Sequence, residues 1–149
     1  MDIKSKDARS LNMSNIRSKN TKPEIFIRSE LHKQGLRFYV NSKLVEGHPD
    51  IYFSKKKVAV FINGCYWHRH ENCKLAYSPK SNTAFWLAKF DANKKRDIIV
   101  AEKLRCSGIR VLIIWECTVK KMMRDDVDCK NCLTRINDFI LSDDVFLEI

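Results

Sequence analysis

Asn63-Gly64-Cys65-Tyr66-Trp67-His68-Arg69-His70-Glu71-Asn72-Cys73 holds two thiols, two imidazoles and two large aromatics within eleven positions, directly after the apolar run 58–62. Cys65, His70 and Cys73 are soft sulfur and nitrogen donors at short spacing, and one more thiol would complete a tetrahedral zinc site. His68 is then left over for chemistry of another kind. A carboxylate, Asp50, opens the strand that precedes this run, and a second, Glu24, sits at the start of a helix.

The elements that must position these residues are legible from capping and periodicity. Thr21 can N-cap a helix, Pro23 suits its first turn, and Glu24 three residues after the cap makes a capping box in which Glu24 accepts the Thr21 N–H. That bond alone would account for Glu24 structurally. Ile27, Leu31 and Gln34 continue at helical spacing to a stop at Gly35. Residues 36–40 read as a strand and 41–49 as a polar loop. Residues 50–53, a turn at 54–57 and residues 58–62 then form a β-hairpin whose second strand, apolar throughout, is expected to be central and covered on both faces. Antiparallel pairing places the start of one strand beside the end of the next, so Asp50 should lie near Ile62 and Asn63.

Residues 74–81 form a loop. An amphipathic pattern then runs from Thr83 through Phe85, Trp86, Phe90, Ile98, Ala101 and Leu104 to Cys106, as one helix or two broken near Asn93, with Gly108 as the stop. A second fully apolar strand, 109–114, runs into Trp115-Glu116-Cys117. Cys117 thus stands at a strand end, as Cys65 does, and two strand ends on one edge would make it the fourth zinc ligand. Residues 118–149 read as helical around 133–141 with an apolar tail at 145–147. Cys129 and Cys132 form a lone C-x-x-C without a partner pair or βαβ context, and are read as packing thiols.

Length and composition set the frame. The 149 residues suffice for one domain with a single core, expected over 21–149 after a flexible basic arm at 1–20. No apolar run approaches membrane-span length, and the N-terminus lacks the apolar core of a signal peptide, so a soluble intracellular protein is expected. A net charge of +10 and a pI near 9.4 point to a polyanionic partner. Because the basic residues fall in the arm (Arg17, Lys19, Lys22), a turn at 55–57 and a cluster at 94–96, with no Lys-rich amphipathic helix, nucleic acid is expected rather than membrane. Six cysteines in such a chain suit metal or buried thiols better than disulfides.

An α-β-β-β-α-β order with an Asp at the hairpin is how many metal-dependent nucleases build their site, since an anionic phosphodiester needs a hard cation on a carboxylate to neutralise charge and activate water. The chain resembles the very-short-patch-repair (Vsr) DNA mismatch endonucleases, a branch of the restriction-endonuclease-like fold. The resemblance is carried by Asn12-Met13-Ser14-Asn15-Ile16-Arg17-Ser18-Lys19-Asn20-Thr21-Lys22-Pro23-Glu24, Gly47-His48-Pro49-Asp50-Ile51, Gly64-Cys65-Tyr66-Trp67-His68-Arg69-His70, Asn82-Thr83-Ala84-Phe85-Trp86, Lys95-Arg96-Asp97 and Trp115-Glu116-Cys117.

It implies an α/β fold with a central mixed sheet flanked by helices. It also implies magnesium on the Asp50 carboxylate and the Ile62 main-chain carbonyl, His68 as general base, Asp97 orienting a histidine, and Glu24 assisting. Cys65, His70, Cys73 and Cys117 would hold structural zinc. Tyr66, Trp67 and Trp86 would wedge into DNA, although Trp86 on an amphipathic helix is equally explained as core. Asn63 stands where family members can carry a second histidine.

The implied activity is nicking of double-stranded DNA 5′ of the T in T:G mismatches left by 5-methylcytosine deamination, by a cytoplasmic, nucleoid-bound monomer. Two alternatives remain at this point: a restriction-type or nonspecific nicking nuclease of the same fold, and a non-catalytic zinc-stabilised DNA-binding module.

Overall fold

A computed structural model of the chain describes residues 19–149. Arg17 and most of the expected basic arm lie outside them. The elements are α1 (Lys22–Lys33), β1 (Tyr39–Val40), β2 (Ile51–Phe53), β3 (Val58–Asn63), α2 (Thr83–Cys106), β4 (Arg110–Trp115), α3 (Glu116–Arg124), α4 (Asp126–Leu141) and β5 (Phe146–Glu148). The strands form one mixed sheet in chain order. β1, β2 and β3 pair antiparallel, whereas β4 runs parallel to β3 and β5 parallel to β4.

Alternation along β3 sends its side chains to two cores. Val58, Val60 and Ile62 join Ile27 and Leu31 of α1, Val119 and Met122 of α3, and Ile136, Phe139 and Ile140 of α4 on one face. Ala59 and Phe61 join Val111, Val100 and Leu104 on the other, under α2. β3 is therefore central and covered on both faces, as its unbroken apolar run implies. Cys129 and Cys132 pack against the first core, in keeping with their reading as packing thiols.

Four local expectations are corrected. The first strand shrinks to Tyr39–Val40. The helix after Thr83 takes the unbroken one of its two expected forms, but of the apolar residues in its pattern only Phe90 and Leu104 are buried, with Phe85 and Ile98 exposed. Its 24 residues span about 36 Å, against about 20 Å for a six-residue strand, so its N-terminal half overruns the sheet. Cys117 lies in the first turn of α3 rather than at the strand end. The apolar tail is a fifth strand, with Ile149 N–H donating to Ile113 O at 2.9 Å and Trp115 N–H to Ile149 O at 2.8 Å.

Arg110 ties this second half together. Its guanidinium donates to Phe139 O at 2.7 Å and Ile140 O at 2.9 Å, carbonyls in the last turn of α4, and to Lys56 O at 3.2 Å in the hairpin turn. Charge-assisted bonds of this kind are worth more than neutral ones. Arg110→Ala should lower unfolding free energy by about 2 kcal/mol in urea titration while leaving zinc content unchanged.

Candidate active site and metal centre

The carboxylate corner is set by the β2–β3 register. Ile51 pairs with Val60, which leaves Asp50 just beyond the last pair, and Ile62 N–H donates to Asp50 Oδ2 at 2.7 Å. Continuing the register sets Pro49 across from Ile62. Proline has no N–H to give, so the Ile62 carbonyl, on the same strand edge as its N–H, has no donor in that position. A hard cation would find an anionic oxygen and a free carbonyl side by side, which suits magnesium or a similar ion.

Burial raises the Asp50 pKa from 3.8 to about 6, helped by the negative charge of Glu24; the Ile62 N–H, Arg28 and His68 pull the other way. Glu24 is 4% exposed. Its N–H reaches the Thr21 hydroxyl at 3.5 Å, but its carboxylate accepts from Asn20 N–H at 2.7 Å rather than from Thr21, a correction to the capping-box expectation. It also accepts from Arg28 Nη2 at 3.2 Å. Arg28 reaches Asn20 Oδ1 at 2.8 Å and Asn41 Oδ1 at 3.1 Å, so one guanidinium joins α1, the segment before it and the β1 edge. The sequence reading missed Arg28, although its position four residues after Glu24 on a helix was the available signal. Lys19 and Lys22 are exposed beside this corner in the chain.

His68 faces α2. Its Nδ1 lies 2.6 Å from Asp97 Oδ2, which orients the ring and leaves Nε2 as the free basic nitrogen when Nδ1 carries the proton. Both side chains are about one-third exposed, as a group meeting substrate requires. Glu24 and His68 both act electrostatically on Asp50, and Asp97 joins them through His68.

Cys65, His70, Cys73 and Cys117 place their ligand atoms within 4.8 Å of one another. Tetrahedral zinc with Zn–S near 2.3 Å and Zn–N near 2.0 Å puts sulfur and nitrogen about 3.5 Å apart. Here His70 Nδ1 is 3.6 Å from Cys65 Sγ and 3.4 Å from Cys117 Sγ, so the donor set fits that ion. Cys117 N–H donates to Cys65 Sγ at 3.4 Å, and Cys65 N–H to Glu116 Oε2 at 3.3 Å. Trp115 stacks on the His70 ring with centroids 4.1 Å apart and is held by Glu148, which accepts from Nε1 at 2.6 Å. Without a cation, burial pushes the Cys65 thiol up to about 12; a metal is what would hold the sulfurs as thiolates.

The overrunning half of α2 meets the loop after β3 through aromatic rings. Trp67 lies 5.9 Å from Trp86, and Tyr66 5.0 Å from Trp67. Trp86 is half-buried rather than core. Lys89 stands over both Trp67 and Trp86, at 5.3 and 5.6 Å, and exposed Phe85 continues the cluster from Trp86 at 5.3 Å. Neither Lys89 nor Phe85 was singled out from sequence as a cluster member, though Lys89 follows Trp86 by three residues and Phe85 is its neighbour.

The sequence model for DNA mismatch endonuclease Vsr matches residues 1–75. A type II nicking enzyme, V.NmeAIP of Neisseria meningitidis, is 42% identical over 135 residues, 91% of this chain and 93% of the relative. The chain belongs to the Vsr family of DNA mismatch endonucleases. Type II nicking enzyme V.XorIIP of Xanthomonas oryzae is 37% identical over 81% of this chain and 88% of its own length. DNA mismatch endonuclease Vsr of Escherichia coli is 38% identical over 80% and 76%. The Vsr chain is a DNA endonuclease, a phosphodiester hydrolase, and its mixed five-stranded sheet is the restriction-endonuclease-like core of that family. The binding-only alternative is thereby set aside. No described helix is long and apolar enough to cross a membrane.

Two measurements follow from this geometry. Elemental analysis of protein purified without added metal should find about one zinc per chain, and Cys117→Ser should lower that content and the thermal midpoint together; full zinc in the variant would remove Cys117 from the site. The second concerns Asp50, whose folded-state pKa is raised. The stability this confers is fully present below pH 4 and lost as pH rises through about 6. In magnesium-free buffer Asp50→Asn should lack that loss and exceed the parent at pH 7 by on the order of 2 kcal/mol. Parallel pH profiles for the two proteins would contradict it.

Proposed function

We propose that this Vsr-family endonuclease nicks double-stranded DNA 5′ of the T in T:G mismatches that arise by 5-methylcytosine deamination, with magnesium as the catalytic ion and zinc as the structural one. The observation that carries the reading is that the half-buried Asp50 carboxylate, anchored on Ile62 N–H at the open end of the β2–β3 hairpin, lies within electrostatic reach of His68, whose ring is oriented by Asp97. Bound at Asp50 and the Ile62 carbonyl, magnesium would neutralise phosphate oxygens and acidify water.

The chain's own groups do the rest. His68 Nε2 takes a proton from the attacking water, while Asp97 holds the proton on Nδ1 and steadies the imidazolium that forms. Glu24 adds a second acidic group at the metal side of the site, held in place by Arg28 and the Asn20 N–H. Zinc on Cys65, His70, Cys73 and Cys117 fixes the backbone on both sides of His68, so little conformational freedom remains to be lost when substrate arrives.

Tyr66, Trp67 and Trp86 open the mismatched step by inserting between bases, which is easiest where pairing is already defective. Lys19 and Lys22, with Arg17 in the preceding arm, track the phosphate backbone. All these groups belong to one chain, in support of action as a monomer. The +10 charge supports residence on the nucleoid in the cytoplasm.

Plasmid or oligonucleotide duplexes carrying one T:G mismatch should be nicked in magnesium, and Asp50→Ala should abolish the product with its fold and zinc intact. His68→Ala should slow single-turnover nicking by about 10²- to 10⁴-fold, the usual contribution of a positioned base. Equal nicking of perfectly paired duplexes would favour a restriction-type or nonspecific target instead, and intact mismatched duplexes of every type would end the proposal.

A further inference from the structure

Arg69 sits between His68 and His70 with a left-handed backbone, φ 54°, and its guanidinium leaves both sites to reach the loop that follows. Nη1 donates to Tyr77 O at 3.0 Å and Tyr66 O at 3.3 Å; Nη2 donates to Ala76 O at 3.0 Å and Ser78 Oγ at 3.4 Å. The plane of the fork rests over Phe90, 4.1 Å from the ring centroid, and within 5.8 Å of Tyr66. Phe90 is buried, so it forms a floor. Four loop oxygens are thereby clamped to α2 by one planar side chain, an arrangement that Lys, a point charge on a flexible stem, does not reproduce.

The clamped loop presents Tyr77. Its ring lies 5.0 Å from Tyr66, and the residue is 66% exposed. With Tyr66, Trp67, Trp86 and Phe85 it makes a continuous row of rings whose two ends, Tyr77 and Phe85, face solvent. A tyrosine held rigidly at the end of such a row contributes nothing to either core cluster. An exposed π-face next to rings that insert into DNA is a stacking platform for a nucleobase.

We propose that Arg69 is the positioning residue that presets this ring row, and that Tyr77 is its outer ring, stacking on a base made accessible when the mismatched step opens. The proposal rests on the wedge reading of Tyr66, Trp67 and Trp86 given above. Presetting matters because rings that must first be ordered on binding spend part of the contact energy on their own immobilisation.

The test compares affinity for a T:G duplex with affinity for its fully paired counterpart, by fluorescence anisotropy of the zinc-loaded full chain without magnesium. Tyr77→Ala should reduce the preference for the mismatch by about tenfold, within the range of one base–aromatic stack, while Tyr77→Phe, which keeps the π-face, retains it. Arg69→Lys keeps the charge, so the salt dependence of paired-duplex binding should stay unchanged while mismatch preference falls by a similar factor. Zinc content of all three variants should match the parent.

If the parent chain shows no preference for the mismatch, the wedge reading fails and this inference with it. A parent preference left intact in Tyr77→Ala overturns the assignment of Tyr77 alone. Loss of zinc in Arg69→Lys, with paired and mismatched binding weakened equally, makes Arg69 a strut of the fold and overturns its positioning role.

Discussion

The parallel pairing of β3 with β4 is the constraint on which both sites depend. Its register sets Asn63 beside Trp115, so the chain leaves both strands on the same edge and at the same height. The turn after β3 delivers Cys65, and the first turn of α3 after β4 delivers Cys117. No disulfide or long loop is needed to bring them within metal-bridging distance. A slip of one residue would send the two thiols to opposite faces of the sheet, and the two fully apolar strands exclude it because each face has its own core to fill. Burial of Val58, Val60 and Ile62 against one layer of helices and of Ala59 and Phe61 against the other thus also places the Cys65 and Cys117 thiols.

Helix length is the second constraint. A helix of 24 residues on strands of six must end over empty space at one side. It is the N-terminal half of α2 that overruns, and there its apolar residues have no sheet to cover. Phe90 is buried by the loop after β3 instead, Trp86 is covered in part, and Phe85 stays in solvent. Just past that half, Asp97 meets His68 at 2.6 Å. The mismatch between element lengths therefore supplies a surface of rings on the overrunning half of α2, next to the turn of the helix that carries Asp97.

The hairpin that joins Asp50 to Ile62 and the four-residue soft-donor cluster were legible in sequence because each follows from local rules. Strand alternation, an antiparallel turn and the chemical character of Cys and His suffice for them. The second half of the chain was less legible. α3 begins without a capping side chain, and β-branched Thr118 and Val119 weaken its helical signal. α4 did carry a readable start, since Asp125 accepts from Val127 N–H at 2.8 Å and Asp128 N–H at 3.0 Å, a regular N-cap. β5 could not be read locally at all. Three residues of tail become a strand only because β4 has a free edge, and that edge is a property of the assembled sheet. Arg110 and Arg28 were missed for a related reason, since each matters through carbonyls or amides that are far away in sequence.

His68 and His70, two residues apart, turn to groups of different chemical character. In an extended strand, residues two apart face the same side, which would push both imidazoles toward one centre and mix the ligand sets. Here residues 65–69 instead form a turn, with His68 N–H on Gly64 O at 3.1 Å and His70 N–H on Cys65 O at 3.0 Å and Arg69 left-handed, and the two rings diverge. His70 Nδ1 turns to thiols, a soft set that selects zinc over magnesium. His68 Nδ1 turns to a carboxylate, while the corner at Asp50 and the Ile62 main-chain carbonyl offers hard oxygens, poorly matched to an ion that thiols favour. Because the corner is buried enough to raise the Asp50 pKa to about 6, its anion is costly without a cation. A hard cation would relieve that cost.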